Sequence, residues 1–113
     1  MSAKVTGVYY LKNSPCEIIL NFLYKIKNMW HFVYILQSLK DNKLYTGYTK
    51  NLKLRFEHHQ KGLVESTKNR KPLKLIYFEG CLNQKDATHR EKYFKTYYGK
   101  MFIKSRLKSY FTG

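Results

Sequence analysis

Residues 32–37 are apolar, aromatic or β-branched almost throughout, and residues 44–49 repeat that character after the polar stretch SLKDNK. Two short runs of this kind around Asp41 and Asn42, which suit a tight turn, predict a β-hairpin. The period then changes. Leu52, Arg55, Phe56 and His59 recur at helical spacing, with Asn51 where an N-cap belongs and Gly62 where a helix would end. They predict a helix of about three turns. Residues 63–72, LVESTKNRKP, read as a polar, basic surface loop closed by Pro72, and residues 73–81 as a central strand. Asn83 is placed to cap a second helix over about residues 84–97, with Asp86 in the first turn, where the helix dipole favours an acid. Gly99 is expected to break that helix. Phe102, Ile103, Arg106, Leu107 and Tyr110 predict a short third helix over residues 100–110.

The resulting order, ββαβαα, argues for an α+β fold, an α/β sandwich with a small, mainly antiparallel sheet. With 113 residues the chain has room for a single domain with a modest core. Residues 1–28 differ from the rest. Residues 18–29 have the pattern of a short amphipathic helix, yet the segment has no secretory cleavage signal. We read 1–28 as an N-terminal extension, loosely packed or disordered, with Met29 as a candidate start, and 29–113 as the working domain.

Charge narrows the function. There are 22 Lys and Arg against 7 Asp and Glu, a formal charge of +15. The extension holds only Lys4, Lys12, Lys25 and Lys27 against Glu17, so the excess belongs to the domain. Such a surface predicts a polyanionic partner, with nucleic acid ahead of an anionic membrane. The 11 tyrosines include rings that could stack on bases as well as core residues. Cys16 and Cys81 have no metal-type spacing, so neither a zinc site nor a disulfide framework is expected, and a reducing cytoplasm fits. The apolar run 18–24 is far shorter than the roughly 20 residues of a membrane span.

Several residues have the chemistry of a phosphodiesterase. Arg55 and His59 stand one turn apart on the first helix and could reach one phosphate, where the planar Arg fork binds two oxygens. A plain solvated helix face is the alternative, and His58 reads as a surface residue. Glu91 shares a predicted face with Ala87, Arg90, Phe94 and Tyr98, where burial demands a partner. That partner is a metal ion or, more simply, Lys95 four residues on. One carboxylate suits a hydrated Mg²⁺ that takes its other ligands from water and phosphate. Tyr34 and Tyr45 are core residues by default. A phenol serves as a base near neutral pH only where neighbouring cations or hydrogen bonds favour the phenolate, and Arg55 and His59 are candidates. Gly47 within a strand marks either the close approach of a ligand or backbone, or a bulge.

Taken together these residues resemble the GIY-YIG nuclease superfamily, in particular its small standalone bacterial members and the nuclease domain of the C component of excinuclease ABC. The GIY position reads Phe32-Val33-Tyr34 and the YIG position Tyr45-Thr46-Gly47. The Arg and His of the helix fall in RFEHH, the following segment in STKNRKPLKLIYFE, and the metal-binding Glu in ATHREKYFK as Glu91. Phe32 and Thr46 depart from the pattern. The resemblance implies a central three-stranded antiparallel sheet flanked by helices and one-metal hydrolysis of a DNA strand. It implies Tyr34 as general base, Tyr45 and His59 positioning or deprotonating it, Arg55 on the scissile phosphate, and Glu91 binding a single Mg²⁺ or Mn²⁺.

Gly47, Lys68, Arg70, Lys71, Lys104 and Arg106 are the candidate nucleic-acid contacts, together with Lys100 and Lys108; such contacts position a backbone without reading sequence. The leading expectation is a structure-sensitive or weakly specific DNA endonuclease of DNA repair or processing, with a targeting partner protein as a further expectation. The alternative is a non-catalytic nucleic-acid-binding module on the same scaffold, which would need the charge but not Glu91. A membrane-binding protein is disfavoured because no long basic amphipathic helix is present.

Overall fold

In the computed structural model the described residues are 29–113 together with 18, 19 and 21. Most of the expected extension 1–28, and most of its helix, lie outside the described residues. The domain begins with strand β1 (His31–Ser38), β2 (Leu44–Thr49) and helix α1 (Leu52–Gln60). A 3₁₀ turn (Lys68–Arg70), β3 (Leu73–Cys81), α2 (Gln84–Phe94), α3 (Tyr97–Arg106) and a short α4 (Lys108–Thr112) follow. The fold is the expected α+β arrangement, ββαβαα, closed by the extra helical turn of α4.

The three strands form an antiparallel sheet in the order β2-β1-β3. β1, not β3, is therefore central. Its run VYIL, residues 33–36, is buried on both faces, while β3 is an edge whose Phe78 is half exposed. Alternation along β1 divides the core. Val33 and Ile35 face Ala87, Phe94 and Ile103 of α2 and α3, and Tyr34 and Leu36 face Leu52 and Phe56 of α1 with Leu73 of β3.

Local chemistry explains the joints. Asn42 turns the hairpin at φ 61°, and Asp41 accepts the Lys43 amide at 2.9 Å. Asn51 accepts the Leu54 amide at 3.1 Å, and Asn83 the Lys85 amide at 2.8 Å, so both expected N-caps are formed. Gly62 leaves α1 in the left-handed region, φ 76°, as a C-terminal glycine does.

The helix boundaries differ at the second break. α2 stops at Phe94, and Gly99 lies within the first turn of α3, capped by the Thr96 hydroxyl at 3.1 Å. Gly99 does not break a helix. A β-carbon there would fall 1.9 Å from the Tyr93 carbonyl oxygen, so glycine lets α3 turn tightly against the end of α2. Tyr98 accordingly leaves the α2 face and is exposed, and the helix expected over 100–110 begins earlier and ends at Arg106. Arg90 spends its charge structurally. It bridges Glu79 at 2.8 Å and lies 4.4 Å over the Phe94 ring and 4.8 Å over Phe102.

Candidate active site

β1 carries Tyr34 inward on the α1 side, directly opposite Gly47 of β2. A β-carbon at Gly47 would fall 2.3 Å from Tyr34 Oη, so the phenol ring occupies the space of the missing side chain. The β1–β2 register runs without a break past Gly47; the irregularity lies on the β3 side, between Ile35 and Leu36. Close approach, here by a side chain of the same domain, explains this glycine and a bulge does not.

From α1, Arg55 and His59, one turn apart on the same helix edge, both reach the same phenol. Arg55 Nε donates to Tyr34 Oη at 3.2 Å, and His59 Nε2 lies 2.8 Å from it. Tyr45, two residues before Gly47, completes an aromatic cluster: its ring stands edge-on to His59 at 5.3 Å and tilted to Tyr34 at 6.4 Å. Arg55 and His59 thus meet at one phenol oxygen with Tyr45 packed against both rings, Tyr34 and His59 being fully buried and Arg55 and Tyr45 half-buried.

The electrostatics of this cluster are not those of a resident phenolate. Burial raises the Tyr34 pKa above 10.0, opposed by the hydrogen bond and charge of Arg55. Arg55 is in turn held more firmly protonated, chiefly by its hydrogen bond to Tyr34. Burial and then the Arg55 and His58 charges push His59 down to about 4. His59 is therefore a neutral imidazole near pH 7, and of the two candidate cations beside Tyr34 only Arg55 is charged.

Glu91 comes from α2, and its charge is felt at Tyr34, where it also raises the phenol. Its side chain is 22% exposed and pairs with Lys95 Nζ at 3.3 Å, the simple partner offered by the spacing. Among the described residues no three His, Cys, Asp or Glu side chains gather into a metal-binding group. A lone, partly exposed carboxylate beside a phenol fits a strongly hydrated divalent ion that completes its shell with water and phosphate, and does not fit a dehydrated protein cage.

The basic segment 63–72 is more than a solvated loop. Val64 and Thr67 are buried beneath it, and Thr67 Oγ1 lies 2.8 Å from His59 Nδ1. At its far end the buried Ser38 hydroxyl donates to the Arg70 carbonyl at 2.7 Å. These anchors hold the segment bearing Lys68, Arg70 and Lys71 behind His59. Lys68 pairs with Glu65 at 3.2 Å, Arg70 approaches Asp41 at 3.9 Å, and Lys71 is exposed. Lys104 and Arg106 are exposed on α3. Arg106 acts on Tyr77, which packs on the sheet face opposite Tyr34, so the fold does not bring it to the tyrosine cluster. Thr67 and Ser38 escaped the sequence reading because each is a small polar residue in a polar stretch, with no periodic signal of burial.

Residues 30–106 match the family described as the GIY-YIG catalytic domain. The chain belongs to the GIY-YIG family. A UPF0213 protein of Clostridium perfringens (strain 13 / Type A) is 46% identical over 66 residues, covering 58% of this chain and 70% of that protein. A UPF0213 protein of Staphylococcus haemolyticus (strain JCSC1435) is 43% identical over 68 residues, 59% of this chain and 82% of its own. One from Pediococcus pentosaceus is 49% identical over 65 residues, with 57% and 67% covered. No solved structure matches the chain. The GIY-YIG domain makes this a member of an endonuclease family whose nucleases generally use divalent metal ions and act on DNA. No helix among the described residues is long and apolar enough to cross a membrane.

Proposed function

We propose that this GIY-YIG protein is a DNA endonuclease that hydrolyses a phosphodiester bond with the help of one Mg²⁺ or Mn²⁺ ion. The observation that carries the reading is the convergence of Arg55 Nε and His59 Nε2 on a buried phenol oxygen, 3.2 and 2.8 Å away. A tyrosine serving only the core needs no guanidinium; a phenol that must carry negative charge does. In this reading Tyr34 is the general base. Its phenolate takes a proton from water, the water oxygen bonds to phosphorus, and the ester bond to the leaving sugar oxygen breaks, that oxygen gaining a proton from solvent. Arg55 binds the phosphate and stabilises the charge that builds on it. Tyr45 and His59 position Tyr34 or take its proton. Glu91 would hold the divalent ion, which when bound supplies charge neutralisation at the phosphate and leaving oxygen.

Lys68, Arg70 and Lys71, fixed behind His59, hold the DNA backbone, with the Gly47 strand, Lys104 and Arg106 as further contacts. The likeness of its motifs to the nuclease domain of the C component of excinuclease ABC favours a structure-sensitive or weakly specific enzyme of DNA repair or processing. It would act in the cytoplasm, with a partner protein supplying targeting.

The test is cleavage of plasmid and branched DNA with Mg²⁺, Mn²⁺ or EDTA, comparing wild type with Glu91→Ala and measuring DNA binding by both. Metal-dependent cleavage lost in the variant with binding retained is the expected result. Tight, salt-sensitive binding without cleavage of any substrate would move the conclusion to a non-catalytic binding module. Equal cleavage by both proteins would leave Glu91 as no more than the partner of Lys95.

A further inference from the structure

Behind the site, His59 and Thr67 are both wholly buried and 2.8 Å apart, between His59 Nδ1 and Thr67 Oγ1. A neutral imidazole carries one ring proton, so one nitrogen donates and the other accepts. Either Thr67 donates to Nδ1 and Nε2–H to the phenol, or the phenol donates to Nε2 and Nδ1–H to Thr67; each leaves one hydroxyl proton in need of another acceptor, and wholly buried Thr67 is a costlier place to strand it than a phenol oxygen bordering the half-buried Arg55. The Thr67 hydroxyl has one proton to donate, and His59 Nδ1 is its hydrogen-bond partner among the described residues. The Thr67 backbone is otherwise engaged: its N–H donates to the Val64 carbonyl at 3.1 Å and its carbonyl accepts from Arg70 at 2.9 Å. This turn fixes where the hydroxyl stands. At the other side of the ring, Tyr34 Oη already receives Arg55 Nε–H.

We infer that Thr67 is a positioning residue which donates to His59 Nδ1, thereby holding His59 as the Nε2–H tautomer and aiming a second N–H, beside that of Arg55, at Tyr34 Oη. The assignment deepens the nuclease reading and rests on it for its catalytic meaning, while the ring spectrum tests the tautomer independently of cleavage. Its consequence is a direction for the proton. His59 does not take the Tyr34 proton, because its Nε2 lone pair is already protonated and its Nδ1 is capped by Thr67. The phenol proton points away from His59, towards the half-buried Arg55 side of the site, where water entering the site takes it and leaves a phenolate that accepts two N–H groups. His59 then stabilises the base and does not generate it. Burial, which keeps the ring neutral at pH 7, preserves the one-proton count on which this depends.

The decisive measurement is a long-range ¹H–¹⁵N correlation spectrum of the histidine rings in the full chain at pH 7, without DNA or metal. The expected wild-type pattern is a pyrrole-type Nε2 and a pyridine-type Nδ1 displaced by an accepted hydrogen bond. In Thr67→Val, which keeps the shape and removes the hydroxyl, the Nδ1 signal moves to the position of an unbonded ring nitrogen; in Thr67→Ser it stays. Tyr34→Phe leaves the tautomer unchanged. Cleavage follows the same order, with kcat reduced 10- to 100-fold in Thr67→Val at unchanged KM and recovered in Thr67→Ser, as for other residues that orient a functional histidine. A wild-type proton on Nδ1, a swap of tautomer in Tyr34→Phe, or an Nδ1 signal identical in wild type and Thr67→Val overturns the inference. Should Thr67→Val fail to fold, the wild-type and Tyr34→Phe spectra still decide it. Should wild type cleave no DNA, the nuclease reading fails while the spectra still assign the tautomer.

Discussion

Substituting Gly47 by alanine tests the packing on which the site depends. The added β-carbon would fall 2.3 Å from Tyr34 Oη, 2.4 Å from Cζ and 2.9 Å from Cε1, so relief requires moving the ring itself. The ring has little free space, being 1% exposed, and the strand cannot withdraw without breaking its ladder with β1. Overpacking of this kind costs about 1–3 kcal/mol. Displacing the ring also loses the hydrogen bond with His59, about 1 kcal/mol, and the one from the Arg55 guanidinium, about 1.5–3 kcal/mol. The better strand conformation of alanine returns roughly 0.5–1 kcal/mol. The net expectation is a loss of about 3–6 kcal/mol, a large share of the 5–15 kcal/mol typical of a domain. The assay is urea denaturation of wild type, Gly47→Ala, Tyr34→Ala and the double variant. With the ring gone, Gly47→Ala should be nearly neutral, giving a coupling of about 2 kcal/mol or more between the two positions. A loss within about 0.5 kcal/mol in the wild-type background, or the same loss in both backgrounds, would refute the reasoning.

Three further outcomes follow from the same geometry. Because burial raises the Tyr34 pKa, its base form is scarce at pH 7, and the cleavage rate should climb about tenfold per pH unit from pH 6 to 9; a rate already flat across that range would point instead to His59, which is neutral well above about pH 4, as the base. His59 titrates at 6.5 when unfolded and at about 4 in the fold. Its contribution is full above 6.5 and lost as pH falls towards 4, so stability should drop by roughly 3 kcal/mol across that window. A His59→Gln variant should lack this dependence in urea titrations at several pH values, and equal losses in both proteins would contradict it. Lys71→Ala should weaken DNA binding several-fold for all sequences alike and flatten the slope of log affinity against log salt by roughly 0.7–0.9, which a fluorescence anisotropy titration would read; an unchanged slope would remove Lys71 from the phosphate contacts.

Much of the domain was legible in residue order. Strand and helix periods, the turn at Asp41 and Asn42, and the caps at Asn51, Asn83 and Gly62 are local features, and each acts through bonds between residues a few positions apart. Arg55 and His59 could be paired on one helix edge for the same reason. The motifs around Tyr34, Tyr45, Gly47 and Glu91 led to the GIY-YIG family, which the match over residues 30–106 establishes.

Tertiary structure decided what depends on distant partners. The place of β1 between two edges is set by pairing with residues far along the chain, so the apolar character of β3 gave the wrong centre. Gly99 looked like a helix breaker, because glycine in sequence does not reveal that the Tyr93 carbonyl oxygen occupies the space of its side chain. Gly47 gained its meaning only when Tyr34 was found filling the gap. The neutrality of His59 required knowing that it is buried, since an imidazole with a solution pKa of 6.5 gives no sign of its state along the chain. Thr67 depends most on the fold: eight residues from His59 and outside any regular element, it acquires its role only when the segment closes beneath α1 and brings a hydroxyl to the one ring nitrogen that the strand side leaves free. Periodicity in a sequence reports which face of an element is buried; which atom meets which across that face is fixed by packing.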